Sequence, residues 1–145
     1  MTDTAAQFRS NYPVVTDLVV QWGEMDALQH VNNVNYFRYF ETVRIQYMMQ
    51  TSLLQGKQGV GPVLAETECR YKRPVTFPDT LTLGCRVSAV QAHGFVQEYA
   101  IFSQAQQAIT TLGSARIVVV DLSTGAKAAL PDSVVAQIEA IEARR

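Results

Sequence analysis

The chain has 145 residues, 12 of them basic and 13 acidic, with a net charge of −1, 48% hydrophobic and 17% charged side chains. That length suits one globular domain over residues 1–145, and the low charged fraction argues against disorder. No basic excess is available to neutralise phosphates, so nucleic acid is not an expected partner.

Residues 16–22 alternate, with Leu18, Val20 and Trp22 on one side and Asp17, Val19 and Gln21 on the other, which predicts a half-buried strand. Residues 23–32 break the pattern with Gly23, Asp26, His30 and Asn32, a polar loop of the kind that carries sites. Asn32 or Asn33 suits an N-cap, because an Asn side chain accepts from the free amides of a first turn. From residue 34 to about residue 50 there is neither Gly nor Pro. Tyr36, Phe40, Val43 and Tyr47 recur at helical spacing, Phe37 and Met48 widen the stripe, and Arg38, Glu41, Thr42 and Arg44 keep a narrow polar face. A helix this apolar is expected at the core, wrapped by a curved sheet.

Residues 51–62 hold three glycines and read as a mobile connection, a candidate gate over a pocket. Val63, Ala65, Thr67, Cys69 and Tyr71 then alternate with Leu64, Glu66, Glu68, Arg70 and Lys72, a strand with one charged face. Residues 74–79 turn the chain, and Leu81, Leu83, Cys85 and Val87 begin another strand. His93 and Gly94 form a turn before an alternating strand over residues 95–102, and a polar stretch leads to a strand over residues 115–121. The run Ile117, Val118, Val119, Val120 predicts cover on both faces of that strand. After a turn at Gly125, Pro131 opens a closing helix whose apolar side is Val134, Val135, Ile138 and Ile141. Strands joined by short turns are antiparallel. The expected fold is α+β, a curved antiparallel sheet around one long helix, with a short C-terminal helix.

Cys69 and Cys85 lack zinc-site spacing and are too few for a disulfide scaffold, so both are expected as buried reduced thiols. Residues 1–13 show no apolar signal region, and no stretch approaches the about 20 apolar residues of a membrane span. A cytoplasmic chain without a membrane partner is the expectation. There is no nucleophile elbow, phosphate-binding glycine loop or histidine cluster, so neither a metal nor a cofactor is expected.

What remains is the loop before the core helix, where Glu24, Asp26, His30, Asn32 and Asn33 gather. The free amides of a helix N-terminus bind an oxyanion or a polarised carbonyl oxygen, and a nearby carboxylate activates water or attacks a carbonyl. Acyl transfer needs that pair of functions, although Asp and Asn are also ordinary turn and capping residues.

The stretch from Trp22 through Asp26, His30 and Asn33 to Tyr36, followed by Phe40, Glu41 and Arg44, resembles the signature of the 4-hydroxybenzoyl-CoA thioesterase-like family of hotdog proteins. Tyr71 to Pro74 with Phe77, Pro78 and Asp79 resembles its second block, and residues 115–121 with Leu130 and Pro131 its closing strand and helix. The His-x-Asn-Asn form looks closest to the fatty acyl-CoA branch, while Glu24 stands where Asp is frequent and Gln29 where Gly is frequent. The resemblance implies a hotdog fold and hydrolysis of acyl-CoA to free acid and CoA by a homodimer or homotetramer. It places Asp26 as general base or nucleophile, the backbone N–H of Asn33 as the group polarising the thioester carbonyl, and His30 as orienting the loop or bonding the thioester. Asn32 and Tyr36 are candidate substrate contacts, and Arg70, Lys72 and Arg73 candidates for the coenzyme phosphates. Glu24 reads as a charge that tunes Asp26 or, in preference, as a solvated loop carboxylate, and Glu41 as a rival base beside Arg38 and Arg44. The alternatives are a thioesterase for acyl-carrier protein and a non-enzymatic acyl-CoA-binding module.

Overall fold

A computed structural model describes residues 4–144, so residues 1–3 and 145 of the expected domain, and that part of the N-terminal reading, lie outside the described residues. The elements in chain order are α1 (Ala5–Asn11), β1 (Val14–Val19), a 3-10 turn (Trp22–Glu24), α2 (Asn33–Met48), a second 3-10 turn (Leu53–Gln55), β2 (Val60–Tyr71), β3 (Thr80–Gln91), β4 (Gly94–Ser103), β5 (Ala108–Asp121) and α3 (Asp132–Glu142). The strands form one antiparallel sheet in the order β1-β3-β4-β5-β2, which places β2 at an edge. This is the expected arrangement of sheet, long helix and short closing helix.

α2 starts where Asn32 caps it, the Asn32 side chain accepting from Val34 N at 3.1 Å. It buries Tyr36, Tyr39, Phe40, Val43, Tyr47 and Met48 against the inner sheet face, where Leu83, Cys85, Phe95, Tyr99 and Ile101 meet them. Phe40 stacks on Tyr99 at 4.9 Å between ring centroids. Gly113 makes that approach possible, since a Cβ there falls 2.3 Å from the Phe40 ring.

Five local expectations are corrected. Trp22 is not the inward end of a strand; β1 stops at Val19 and Trp22 stands 75% exposed on the 3-10 turn. Arg44 leaves the expected polar face and is buried, its guanidinium donating to Tyr99 Oη at 3.4 Å while Glu41 stays exposed beside it. Residues 51–62 are tied down, not loose. Leu53 is buried, Ser52 N and Gln58 Nε2 bond to Gln137 and Ser133 of α3, and β2 already begins at Val60. In β5 only Ile117 and Val119 of the apolar run are buried while Val118 and Val120 are half-exposed, so the run alternates like any strand. Cys69 is half-buried because β2 is an edge strand, whereas Cys85 is fully buried.

The sequence reading also missed α1. Thr4 and Gln7 form a capping box at its start, and Phe8 and Tyr12 bury themselves on the outer sheet face against Ala100 and Phe102. Gly84 is the sheet position that admits Tyr12, since a Cβ there meets the Tyr12 ring at 2.6 Å.

Candidate active site

The loop between β1 and α2 is a tight hairpin closed on itself. Met25 and Val31 form an isolated bridge, Asp26 N donates to His30 O at 2.8 Å, and Gln29 N donates to Asp26 O at 3.0 Å. Gln29 takes a left-handed φ of 62°, the conformation a Gly would adopt most freely. The Asp26 side chain completes the turn, with Oδ1 accepting from Leu28 N at 2.8 Å and from His30 N at 3.4 Å. Its other oxygen, Oδ2, has no hydrogen-bond partner among the described residues. The turn thus fixes the carboxylate and leaves one oxygen for chemistry.

Two longer connections hold this hairpin against the helix. Glu24 Oε1 accepts from Tyr39 Oη at 2.9 Å and from Gln21 N at 2.8 Å, and Glu24 O accepts from Asn32 N and Asn35 Nδ2. Glu24 is therefore a brace and not the expected solvated carboxylate. Burial, followed by the bond to Glu24, raises the Tyr39 phenol far above its ordinary range, so it stays a donor. Val31 N donates to Val75 O at 2.8 Å, and Val75 N donates to Tyr36 Oη at 3.2 Å, which ties the loop to the segment between β2 and β3.

A groove of about 320 Å³ opens where these elements meet, lined by Asp26, His30, Asn33, Tyr36, Lys72 and Arg73 among others. Asn33 is the first residue of α2, and its N–H has no partner among the described residues, as expected of a first-turn amide. The His30 ring likewise carries no hydrogen bond among the described residues. Tyr36 is buried under the groove and meets Tyr71 edge-on at 4.9 Å, with Tyr71 donating to Asn33 O at 3.4 Å. The Tyr71 phenol is pushed up to about 12, first by burial and then by its bond to Cys69. Lys72 and Arg73 sit past the end of β2, where both backbone amides bond to Thr110 O.

The structure therefore brings together six of the eight residues singled out from sequence. Asn32 stays outside the groove as the cap, and Arg70 lines a different groove with Glu68, Glu98 and Ser114. Tyr39 and Tyr71 were missed as site residues. Tyr39 lies three residues after Tyr36 on the helix, a spacing that signals a shared face. Among the described residues no group of three or more His, Cys, Asp or Glu could hold a metal. No helix of the described residues is long and apolar enough to cross a membrane.

This arrangement supplies a positioned carboxylate and a free helix amide to one open groove. Residues 20–138 match the family model described as thioesterase-like superfamily. A curated protein of Bacillus subtilis strain 168, YsmA, is 28% identical over 93 residues, which is 64% of this chain and 63% of that protein, so the match spans less than two thirds of the relative. Among solved structures, the PA5185 protein of Pseudomonas aeruginosa PAO1 is 26% identical with a TM-score of 0.80, over 92% of this chain and 94% of its own. A Thermus thermophilus thioesterase, complexed with coenzyme A and zinc, is 26% identical with a TM-score of 0.79, over 92% of this chain and 98% of its own.

Proposed function

The chain belongs to the thioesterase-like superfamily, which makes it a thioester hydrolase by kind, and we propose that its substrates are fatty acyl-CoA thioesters, hydrolysed to free acid and CoA. The observation that carries this reading is the pairing of Asp26 Oδ2, without a partner among the described residues, with the similarly free Asn33 N–H in one groove. The coenzyme A bound by the Thermus thioesterase supports a CoA-type thiol.

In this reading Asp26 is the general base. A water oxygen attacks the carbonyl carbon while its proton passes to Asp26 Oδ2. The carbonyl oxygen becomes an oxyanion held by the Asn33 N–H, where the α2 N-terminus favours negative charge. Collapse breaks the C–S bond, and the proton on Asp26 goes to the departing thiolate. His30 closes the loop through its backbone and turns its ring to the thioester, while Tyr36 floors the groove. Lys72 and Arg73 meet the phosphates of the thiol arm as charge-assisted donors. Arg70 joins them only if the substrate extends around the end of β2.

Thiol release from short-chain, long-chain and aromatic acyl-CoAs, with wild type and Asp26→Asn, tests this. The Asn side chain keeps an oxygen for Leu28 N and loses the base, so release is expected to fall by about 100-fold or more in a folded protein. Near-normal release by the variant overturns the role of Asp26 and moves the test to Glu41. A single turnover in heavy-oxygen water tests the mechanism. Label in the Asp26 carboxylate means that a mixed anhydride formed and opened at the Asp26 carbon, whereas label in the product acid alone means water attack at the acyl carbon, either directly or on the anhydride.

A further inference from the structure

Asp26 also borders a second and larger groove, of about 590 Å³. Trp22, Met25, Thr76 and Phe77 form its walls. Trp22 is 75% exposed and Phe77 45% exposed, large apolar surfaces left in water beside a polar loop. Both walls are anchored through neighbouring residues. The 3-10 turn bearing Trp22 is fixed by the Glu24 bonds to Gln21 N and Tyr39 Oη. The segment bearing Phe77 is held at one end by the Val75 bonds to Val31 and Tyr36. At the other, buried Asp79 accepts from Ser103 Oγ and Ala105 N, and Val20 N donates to Asp79 O.

A thioester of CoA has an anionic thiol arm and an apolar acyl arm that meet at the carbonyl. The two grooves repeat that division: cationic Lys72 and Arg73 line the one with the free helix amide, aromatic Trp22 and Phe77 line the other, and Asp26 is common to both. We infer that the acyl arm lies in the Trp22–Phe77 groove and that these two side chains select acyl groups by apolar length. This rests on the acyl-CoA reading of Asp26 and adds to it the site that reads the acyl group. Gly23 also lines the groove, and a side chain fits there without strain, since a Cβ meets nothing within 4 Å and the backbone is not left-handed.

Trp22 is the sole tryptophan of the chain, so its fluorescence reports on this groove directly. The probe set is octanoyl-CoA, a terminally brominated octanoyl-CoA and CoA alone, each titrated into Asp26→Asn with binding followed in parallel by calorimetry. Octanoyl-CoA is expected to shift the emission to the blue and the brominated chain to quench it by at least half, while CoA changes it little. In wild type, kcat/KM is expected to rise by up to roughly fourfold per added methylene that leaves water. Trp22→Ala and Phe77→Ala are expected to lower kcat/KM for octanoyl-CoA about 10-fold and for acetyl-CoA less than threefold, and Gly23→Leu to move the optimum to shorter chains. Octanoyl-CoA that binds without changing Trp22 emission, or the full shift from CoA alone, overturns the inference. So does an unchanged chain-length profile in all three variants. Absence of both acyl-CoA binding and thiol release instead brings down the function proposed above, and the acyl groove with it.

Discussion

The two oxygens of Asp26 have separate tasks, and this decides which substitutions are informative. Oδ1 closes the turn onto Leu28 N and His30 N, so Asp26→Ala removes both the proposed base and the turn, whereas Asp26→Asn removes the proposed base alone. The thiols invite a second residue-level test. Burial raises Cys85 well above an ordinary thiol, with the Glu142 carboxylate adding to it and Arg44 opposing. Burial also raises the half-buried Cys69, with the Tyr71 bond opposing. A thiol held protonated by the fold contributes stability that is complete below its unfolded pKa and is lost as pH rises above it, so melting temperature is expected to fall above about pH 9. At neutral pH iodoacetamide is expected to modify Cys69 slowly and Cys85 only on unfolding; mass spectrometry of a denaturant series reads both, and modification of native Cys85 contradicts its placement. The local geometry of Asp26, His30, Asn32 and Asn33 was legible because it is a polar loop running into a cap, although Asn32 caps the helix and does not line the groove. The Glu24 brace was not, because Tyr39 reaches it from the second turn of α2 and no short-range pattern separates a braced carboxylate from a solvated one.

At the scale of elements, close contacts explain which parts of the fold tolerate no added atom. At Gly113 on β5 a Cβ meets the Phe40 ring at 2.3 and 2.5 Å and Glu68 O at 2.8 Å, with backbone on one side and a stacked ring on the other. Gly113→Ala is expected to destabilise the protein by about 2 kcal/mol or more, read as a lower urea midpoint at constant slope. A neutral midpoint means that α2 shifts on the sheet at little cost. The long elements were readable from their periods because one face of each is buried. The misreadings share a cause, which is that pattern alone does not say what lies opposite a face. β5 was expected from residue 115 and starts at Ala108, since buried Thr110 and Thr111 lie in its first half and read as polar. Arg44 was placed on the solvent side because its charge outweighed its spacing, yet Tyr99 waits across the core for it. α1 carries only Phe8 as a buried residue, and its Thr4–Gln7 capping box was the one signal available.

For the whole molecule, the edge strand is the unfinished part. β2 runs twelve residues from Val60 to Tyr71 with β5 on one side only, and Val63, Leu64 and Tyr71 stay 46%, 43% and 46% exposed. β1, the other edge, has only six residues. A long unpaired edge with apolar side chains invites a second strand, and a two-fold copy offers an antiparallel one. Tyr71 at the end of β2 also lines the proposed active-site groove beside Asn33 and Tyr36, so a partner along β2 adds a wall to it. The chain is therefore expected to sediment as a dimer at micromolar concentration, joined through β2, with a mass of four chains marking a further pairing of dimers. Charging the edge by Val63→Lys with Leu64→Lys is expected to give a monomer of unchanged circular dichroism whose kcat/KM falls at least 10-fold, because the groove loses its second wall. A wild-type monomer that releases thiol at full rate overturns this, and so does a charged-edge monomer that keeps its activity. In the first case one copy of the fold encloses its substrate unaided and the apolar edge must be answered by some partner other than a second chain; in the second the edge pairs two chains but adds no wall to the groove.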